Sequence, residues 1–317
     1  MNSTPIEPSG VLIVNKPVGM TSHDVVNIVR RLYGTRRVGH AGTLDPLASG
    51  VLVVLVGRAA KATEYISHSS KKYRATLRLG ITTDTEDVTG ATLTESSDVP
   101  SAEAVVKAAA EFRGEIMQTP PMYSALKVGG QKLVDLARRG VTVEREARPV
   151  TVFEIACKPT DVQSDYILDV HCSGGTYIRT LCADIGAKLG CGGVMATLER
   201  TEACGFDIGE SHTVDELREY DKEKLVSLLI PTEALFSDCE IVRLPEFYEK
   251  LCRSGCEIYQ KKIGTSLHTG TRVRICGKSS EANPTGFFAL GEIIEGVGCK
   301  TPELGSAVKS IKIFDLG

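Results

Sequence analysis

The segment that most limits how this chain can fold is Val51-Leu52-Val53-Val54-Leu55-Val56. No polar residue interrupts it, and four of its positions are β-branched. It is the longest uninterrupted apolar run in the chain and reads as a strand. The stretch that feeds it is Gly39-His40-Ala41-Gly42-Thr43-Leu44-Asp45-Pro46-Leu47-Ala48-Ser49-Gly50. Pro46 disfavours helical geometry at Asp45 and pushes it toward an extended one. The three glycines let the backbone bend closely around that residue. A loop carried on so rigid a frame is a natural place for functional side chains, and a carboxylate there can serve as nucleophile or base. Taken alone, Asp before Pro is also an ordinary turn former.

The rest of the chain alternates between helix and strand patterns. Val11 to Asn15 reads as a short buried strand. A helix follows, capped by Thr21 or Ser22, with Val25, Val26, Val29 and Leu32 on one face and Gly34 at its end. Tyr73 to Leu79 alternates as a strand, and Ser101 to Arg113 is an Ala-rich helix with a Ser cap. Thr151 to Cys157 and Tyr166 to Cys172 are further strands. Ile178, Leu181, Ile185 and Leu189 mark a helix that Gly190 terminates. Residues 118–150 open with Pro120-Pro121, carry Lys127, Lys132, Arg138, Arg139, Arg145 and Arg148, and read as an inserted basic arm with a short helix, Leu133 to Arg139. Beyond Ser237, short strands such as Thr271 to Cys276 and Gly286 to Ile294 alternate with Gly-rich turns and suggest a separate small all-β domain.

Composition narrows the class. With 42% hydrophobic and 24% charged residues, the 317-residue chain is an ordinary globular one of about two domains' length. Its longest apolar run is far short of the ~18 residues that a membrane span needs. Met1 to Gly10 lacks a basic and apolar leader pattern, so the cytoplasm is the expected compartment. The ten cysteines all lie between Cys157 and Cys299 and show no disulfide framework; reduced thiols are expected. Cys252 and Cys256 form a C-x3-C pair without a second pair, so a zinc site completed by His268 or Cys276 is not the favoured reading. Net charge is −3, unevenly spread: residues 1–90 hold 11 Lys and Arg against 7 Asp and Glu, and residues 151–230 hold 7 against 14. A polyanion would therefore meet the N-terminal half. No dinucleotide fingerprint, P-loop, zincin or serine-elbow motif occurs, which leaves ordinary side chains to do any chemistry.

Two further islands carry such side chains. Gly174-Gly175-Thr176-Tyr177-Ile178-Arg179-Thr180 leads from a strand into a helix, with Arg179 off the apolar stripe, where it can reach a buried carboxylate. Ser70-Lys71-Lys72-Tyr73-Arg74 sets a ring among cations, suited to stacking on a base beside phosphates. In this order, these islands resemble the bacterial tRNA pseudouridine-55 synthase family. The likeness begins at Gly10-Val11-Leu12-Ile13-Val14-Asn15-Lys16-Pro17 and takes in the Asp45 loop. It continues through Lys72-Tyr73-Arg74, Thr83-Asp84-Thr85, Pro121-Met122-Tyr123-Ser124-Ala125-Leu126-Lys127 and Gly175 to Thr180, and reaches Thr197-Leu198-Glu199-Arg200-Thr201. Gly286 to Glu292 is more loosely similar to a PUA-type RNA-binding domain.

The resemblance implies an α+β catalytic domain around a mixed, largely antiparallel sheet flanked by helices (residues 1–236, with the arm 118–150 clamping RNA), then a small PUA-like β-barrel (237–317). It implies conversion of the T-loop uridine of tRNA to pseudouridine, with no metal or organic cofactor, no membrane and no obligatory protein partner, by a monomer. Asp45 would be the catalytic carboxylate, attacking C1′ or C6 or assisting sugar deprotonation. Arg179 would pair with it, and Tyr73 would stack on the base and help remove the C5 proton. His40 would fill the space the flipped nucleotide leaves, and Lys16, Tyr177 and Leu198 would line the pocket. One position departs from the family pattern: Glu199 stands where arginine is common after the pocket leucine. If that arginine touches phosphate, binding should be weaker here, unless Glu199 pairs with Arg200. The rival readings are a guide-RNA-dependent rRNA pseudouridine synthase, which typically lacks the arm, a non-catalytic tRNA-binding or folding factor, and a glycoside hydrolase using Asp84 as second acid.

Overall fold

A computed structural model describes residues 8–66, 69–124, 126–281, 283–295 and 305–314; Cys299 lies outside them. Its main sheet has ten strands. The path runs His212–Thr213, Gly10–Lys16, Ala48–Val56, Gly193–Ala203, Lys71–Leu79, Asp165–Cys172, Arg148–Pro159 and Gly114–Gln118. Val38–Ala41 and Phe206–Asp207 pair onto it from the side. Among the described residues two of the pairings are parallel, Gly10–Lys16 with His212–Thr213 and Ala48–Val56 with Gly193–Ala203. The sheet is thus mixed and largely antiparallel, as expected.

The doubly apolar strand is buried on both faces. Leu52, Val54 and Val56, with Leu12 and Val14, pack on the helix Ser22–Tyr33. Val51, Val53 and Leu55, with Val11 and Ile13, face Ala59, Ala62, Phe236 and the rings of Phe287 and Phe314. Those three phenylalanines meet with centroids 5.7 to 6.1 Å apart. Further along the sheet, Tyr73, Ala75, Leu77 and Leu79 point toward the helices Ala102–Ala110 and Ile178–Leu189. Their neighbours Lys72, Arg74 and Arg78 alternate to the opposite, open face, where Glu202, Asp169 and Asp165 pair with them at 2.7 Å.

Several expectations need correction. The Gly39–Gly50 loop is shorter than it reads, because Val38–Ala41 and Ala48–Val56 both enter the sheet and leave only residues 42–47 unpaired. The arm contains a small hairpin, Lys127–Val128 with Gln131–Lys132, and its helix spans only Leu133–Ala137. The C-terminal strands form a five-stranded half-barrel, order Glu240–Arg243, Arg272–Cys276, Phe287–Ile294, Ala307–Ile313, Ile258–Tyr259, whose end strands do not pair with each other. It is not all strand. The helix Glu246–Arg253 packs against it, burying Cys252, while Cys256 is exposed.

The parallel pairing rests on one glycine. Gly50 has φ of 98° and lies opposite Arg200, and a Cβ there would sit 2.3 Å from the Arg200 carbonyl oxygen. Gly129, at the tip of the arm, also has positive φ (56°) but open space around it. Gly129→Ala is expected to cost roughly 1 kcal/mol, the strain of a left-handed residue. Gly50→Ala adds a backbone clash and should cost about 3 kcal/mol or more. Urea unfolding of the two variants checks this; equal costs would remove the clash argument.

Candidate active site

The helix Ser22–Tyr33 begins with a reciprocal cap between Thr21 and Asp24, which fixes where Ser22 stands. The Ser22 hydroxyl accepts the Leu44 N–H at 2.8 Å and donates to the Leu44 carbonyl at 3.1 Å. The Gly19 N–H reaches the Pro46 carbonyl at 2.8 Å, and Ala48 N–H closes a turn on the Asp45 carbonyl at 3.0 Å. Leu44 is buried on one side of these bonds. Asp45, next in the chain, is held outward with 38% of its side chain exposed.

Arg179 comes from the first turn of the helix Ile178–Leu189. Tyr177, the residue before the helix, is bracketed by Gln118, whose Oε1 accepts the Tyr177 N–H at 3.0 Å and whose Nε2 donates to the Tyr177 carbonyl at 3.2 Å. The guanidinium is 6% exposed. Its Nη2 lies 3.0 Å from Asp45 Oδ2 and donates to the Tyr123 carbonyl at 2.7 Å. Its Nη1 donates to the Thr85 carbonyl at 3.1 Å and lies 3.6 Å from Asp87 Oδ2. Asp87 is itself held by the Thr89 N–H and the Thr85 hydroxyl, each at 2.9 Å. One buried cation therefore collects the loop, the inserted arm and the Thr83–Ala91 segment.

A cavity of about 320 Å³ opens beside this pair. Asp45, Tyr73, Tyr177, Arg179, Leu198 and Arg200 line it, joined by Lys71 and by Ser124 and Leu126 of the arm. A second cavity of about 660 Å³ lies on the other side of Asp45 and Arg179, under Arg138 and Val134 of the arm. Burial pushes the Asp45 carboxyl up, against the downward pull of Arg179. Burial likewise raises the Tyr73 phenol, with Arg200 opposing, and the Tyr177 phenol. Both rings thus remain neutral at physiological pH.

One residue expected to line the pocket lies elsewhere. Lys16 is fully buried and does not line the cavity; its ammonium donates to the carbonyls of Pro17 (2.9 Å) and Met20 (2.8 Å). Its charge still acts on Asp45. His40, on the Val38–Ala41 strand, also stands off the cavity wall, and burial lowers its pKa. Glu199 does not pair with Arg200. Successive strand residues face opposite ways, so Leu198 and Arg200 turn into the cavity, and Glu199 lies across from Arg74. Asp84 is occupied too, accepting the Ala91 N–H at 2.7 Å.

Arg200 itself is a residue that sequence reasoning missed. It is fully buried, donating to the carbonyls of Val51 (2.7 Å) and Gly42 (3.1 Å), so it ties the strand to the loop that carries Asp45. Its alternation with Leu198 was the available signal. Asp87 was missed because the motif noted there stops at Thr85.

Burial lowers the Lys16 pKa to about 8. Below that value both folded and unfolded chains hold the proton and the burial cost is fully present. Between about 8 and the ordinary lysine value near 10.4, only the unfolded chain keeps it, so the folded state gains as pH rises. The stability of the wild type relative to Lys16→Met should therefore increase over that interval; a difference that stays flat or falls would contradict the assignment.

Comparison with known proteins agrees with this geometry. Residues 30–178 match the model for the TruB family pseudouridylate synthase N-terminal domain, and 179–237 match that for the tRNA pseudouridylate synthase B C-terminal domain. The tRNA pseudouridine synthase B of Alkaliphilus oremlandii is 41% identical over 84% of this chain and 89% of its own. That of Clostridium tetani is 39% identical over 90% and 95%, and that of Escherichia coli O1:K1 42% over 90% and 91%. Among solved structures, the Cbf5-Nop10-Gar1 complex (TM-score 0.71, 26% identity, 96% of this chain and 85% of that one) and the archaeal box H/ACA sRNP Nop10-Cbf5 complex (0.71, 25%, 99% and 89%) share the fold. With two consecutive family models matched and about 40% identity sustained over most of its length, this chain belongs to the TruB family of pseudouridylate synthases.

Proposed function

We infer that the chain isomerises the T-loop uridine of tRNA to pseudouridine, with Asp45 as the catalytic carboxylate. The observation that carries the reading is Asp45 at the wall of a small cavity, 3.0 Å from a buried Arg179, with Tyr73 and Leu198 on the same wall. The cavity is too small for a helix and suits one extruded base. Extrusion costs a few kcal/mol, and aromatic stacking worth about 1–3 kcal/mol per base offsets part of it at Tyr73. The C1′–N1 bond breaks, the base turns, and C1′–C5 forms with loss of the C5 proton. Attack at C1′, attack at C6 and assisted sugar deprotonation all need an anionic carboxylate, which Arg179 supplies by pairing. Tyr73 is the ring assigned to stack and to assist at C5. Tyr177 and Leu198 shape the pocket, and Lys16 acts from behind the loop through its charge. His40 takes the place the nucleotide leaves in the RNA.

Residues 1–236 form the catalytic unit in this reading, and 118–150 the arm that grips the T stem by its phosphates. Residues 237–317 form a PUA-like RNA-binding unit. The enzyme is expected to work as a cytoplasmic monomer without a protein partner. Identity near 40% with enzymes named for tRNA, against 25–26% with the Cbf5 complexes, favours tRNA over a guided rRNA substrate. Described residues show no helix long and apolar enough to cross a membrane.

An unmodified tRNA transcript incubated in EDTA should gain pseudouridine with wild type and not with Asp45→Asn. Tight tRNA binding without product from either would favour a binding factor; released free base or sugar would favour a hydrolase. Arg179→Ala should lower kcat by about a hundredfold or more while tRNA affinity changes only about threefold. Equal losses in both would remove Arg179 from the chemistry.

A further inference from the structure

Arg179 is gripped by two groups from one short segment, the Thr85 carbonyl and the Asp87 carboxylate. Between them stands Glu86, at φ of 63°. That left-handed conformation is uncommon for a residue with a side chain. It bends the segment so that groups two residues apart converge on one guanidinium. The bend is held on two sides. Backbone bonds to the strand beside it hold one side: the Met195 N–H donates to the Glu86 carbonyl at 3.0 Å, and the Val88 N–H to the Met195 carbonyl at 3.1 Å. On the other side the Thr180 hydroxyl donates to Glu86 Oε2 at 2.6 Å. Thr180 follows Arg179 directly and is buried in the same helical turn. That turn has no side-chain cap from Tyr177 and no acidic residue of its own.

We propose that Glu86 is a positioning residue for catalysis, latching the Thr85–Asp87 segment to Thr180 so that Arg179 is aimed at Asp45. Glu86 is half-buried, does not line either cavity, and has no place in the substrate contacts above. Its effect reaches the reaction only through Arg179. The proposal rests on the assignment of Asp45 and Arg179 to the chemistry, and Asp45→Asn run beside the variants below tests that assignment separately.

Steady-state kinetics on a tRNA transcript, with tRNA affinity and thermal midpoint measured in parallel, decide it. Glu86→Ala and Thr180→Val should each lower kcat about ten- to a hundredfold, with tRNA affinity nearly unchanged. The double variant should be no slower than the worse single one, because both remove one bond. Glu86→Gln keeps an acceptor for the Thr180 hydroxyl and should restore most of kcat. Thr180→Ser keeps the donor and should do the same. Glu86→Gly keeps the left-handed backbone without the latch and should remain slow. Full activity in Glu86→Gly or Glu86→Ala would overturn the proposal, as would strictly multiplicative losses in the double variant or a loss confined to tRNA affinity. Active Asp45→Asn would instead overturn the assignment on which it rests.

Discussion

A buried arginine, 6% exposed, lies 3.0 Å from a carboxylate whose side chain is 38% exposed. Burial disfavours the charged form of that carboxylate, and the arginine opposes the effect. Without Asp45 the buried arginine would keep only the more distant Asp87 carboxylate, 3.6 Å away, as an anionic partner. Each makes the other tolerable, and the remainder of the catalytic half follows from keeping them together. The guanidinium also accepts no freedom of its own. Carbonyls from Thr85 and Tyr123 and the Asp87 carboxylate hold its two terminal nitrogens as well.

The fold delivers the two partners from opposite directions. Asp45 rides on a loop stapled by Ser22 to one helix, and Arg179 opens another helix across the sheet. Arg200, buried beneath them, links the Gly42 and Val51 carbonyls to the strand carrying Leu198. The charge distribution then makes sense of an acidic chain in an RNA-modifying family. Glu202, Asp169 and Asp165 neutralise Lys72, Arg74 and Arg78 on the sheet face turned away from Asp45. Arg138 of the arm stands at the second cavity. Exposed pairs of this kind add little stability, but they leave the active face with fewer competing acids.

Much of this was legible in residue order. The unbroken Val51–Val56 run reads as a strand and lies in one, buried on both faces. Thr21 and Gly34 bound the first helix as cap chemistry requires, the latter at φ of 64°. The family resemblance paired Asp45 with Arg179, and the two side chains lie 3.0 Å apart. What was not legible is what depends on direction or on distant pairing. Lys16 lies near Asp45 in space, yet its ammonium turns onto the carbonyls of Pro17 and Met20. Spacing gives proximity but not aim. Arg200 reads as a surface charge until the Gly193–Ala203 strand is known to lie between Ala48–Val56 and Lys71–Leu79. No local signal announces a pairing between segments about 150 residues apart. The helix Glu246–Arg253 was missed because Gly-rich turns on either side suggested strands alone.

The charge state of Asp45 is the most direct test of this account. Isotope-edited infrared spectra of the side-chain carboxyl, compared between Asp45→Asn-corrected wild type and Arg179→Gln across neutral pH, would read it without turnover. The account predicts an ionised carboxylate at pH 7 in the wild type and a titration displaced to higher pH in Arg179→Gln. A protonated Asp45 in the wild type at pH 7, or the same titration in both proteins, would contradict it.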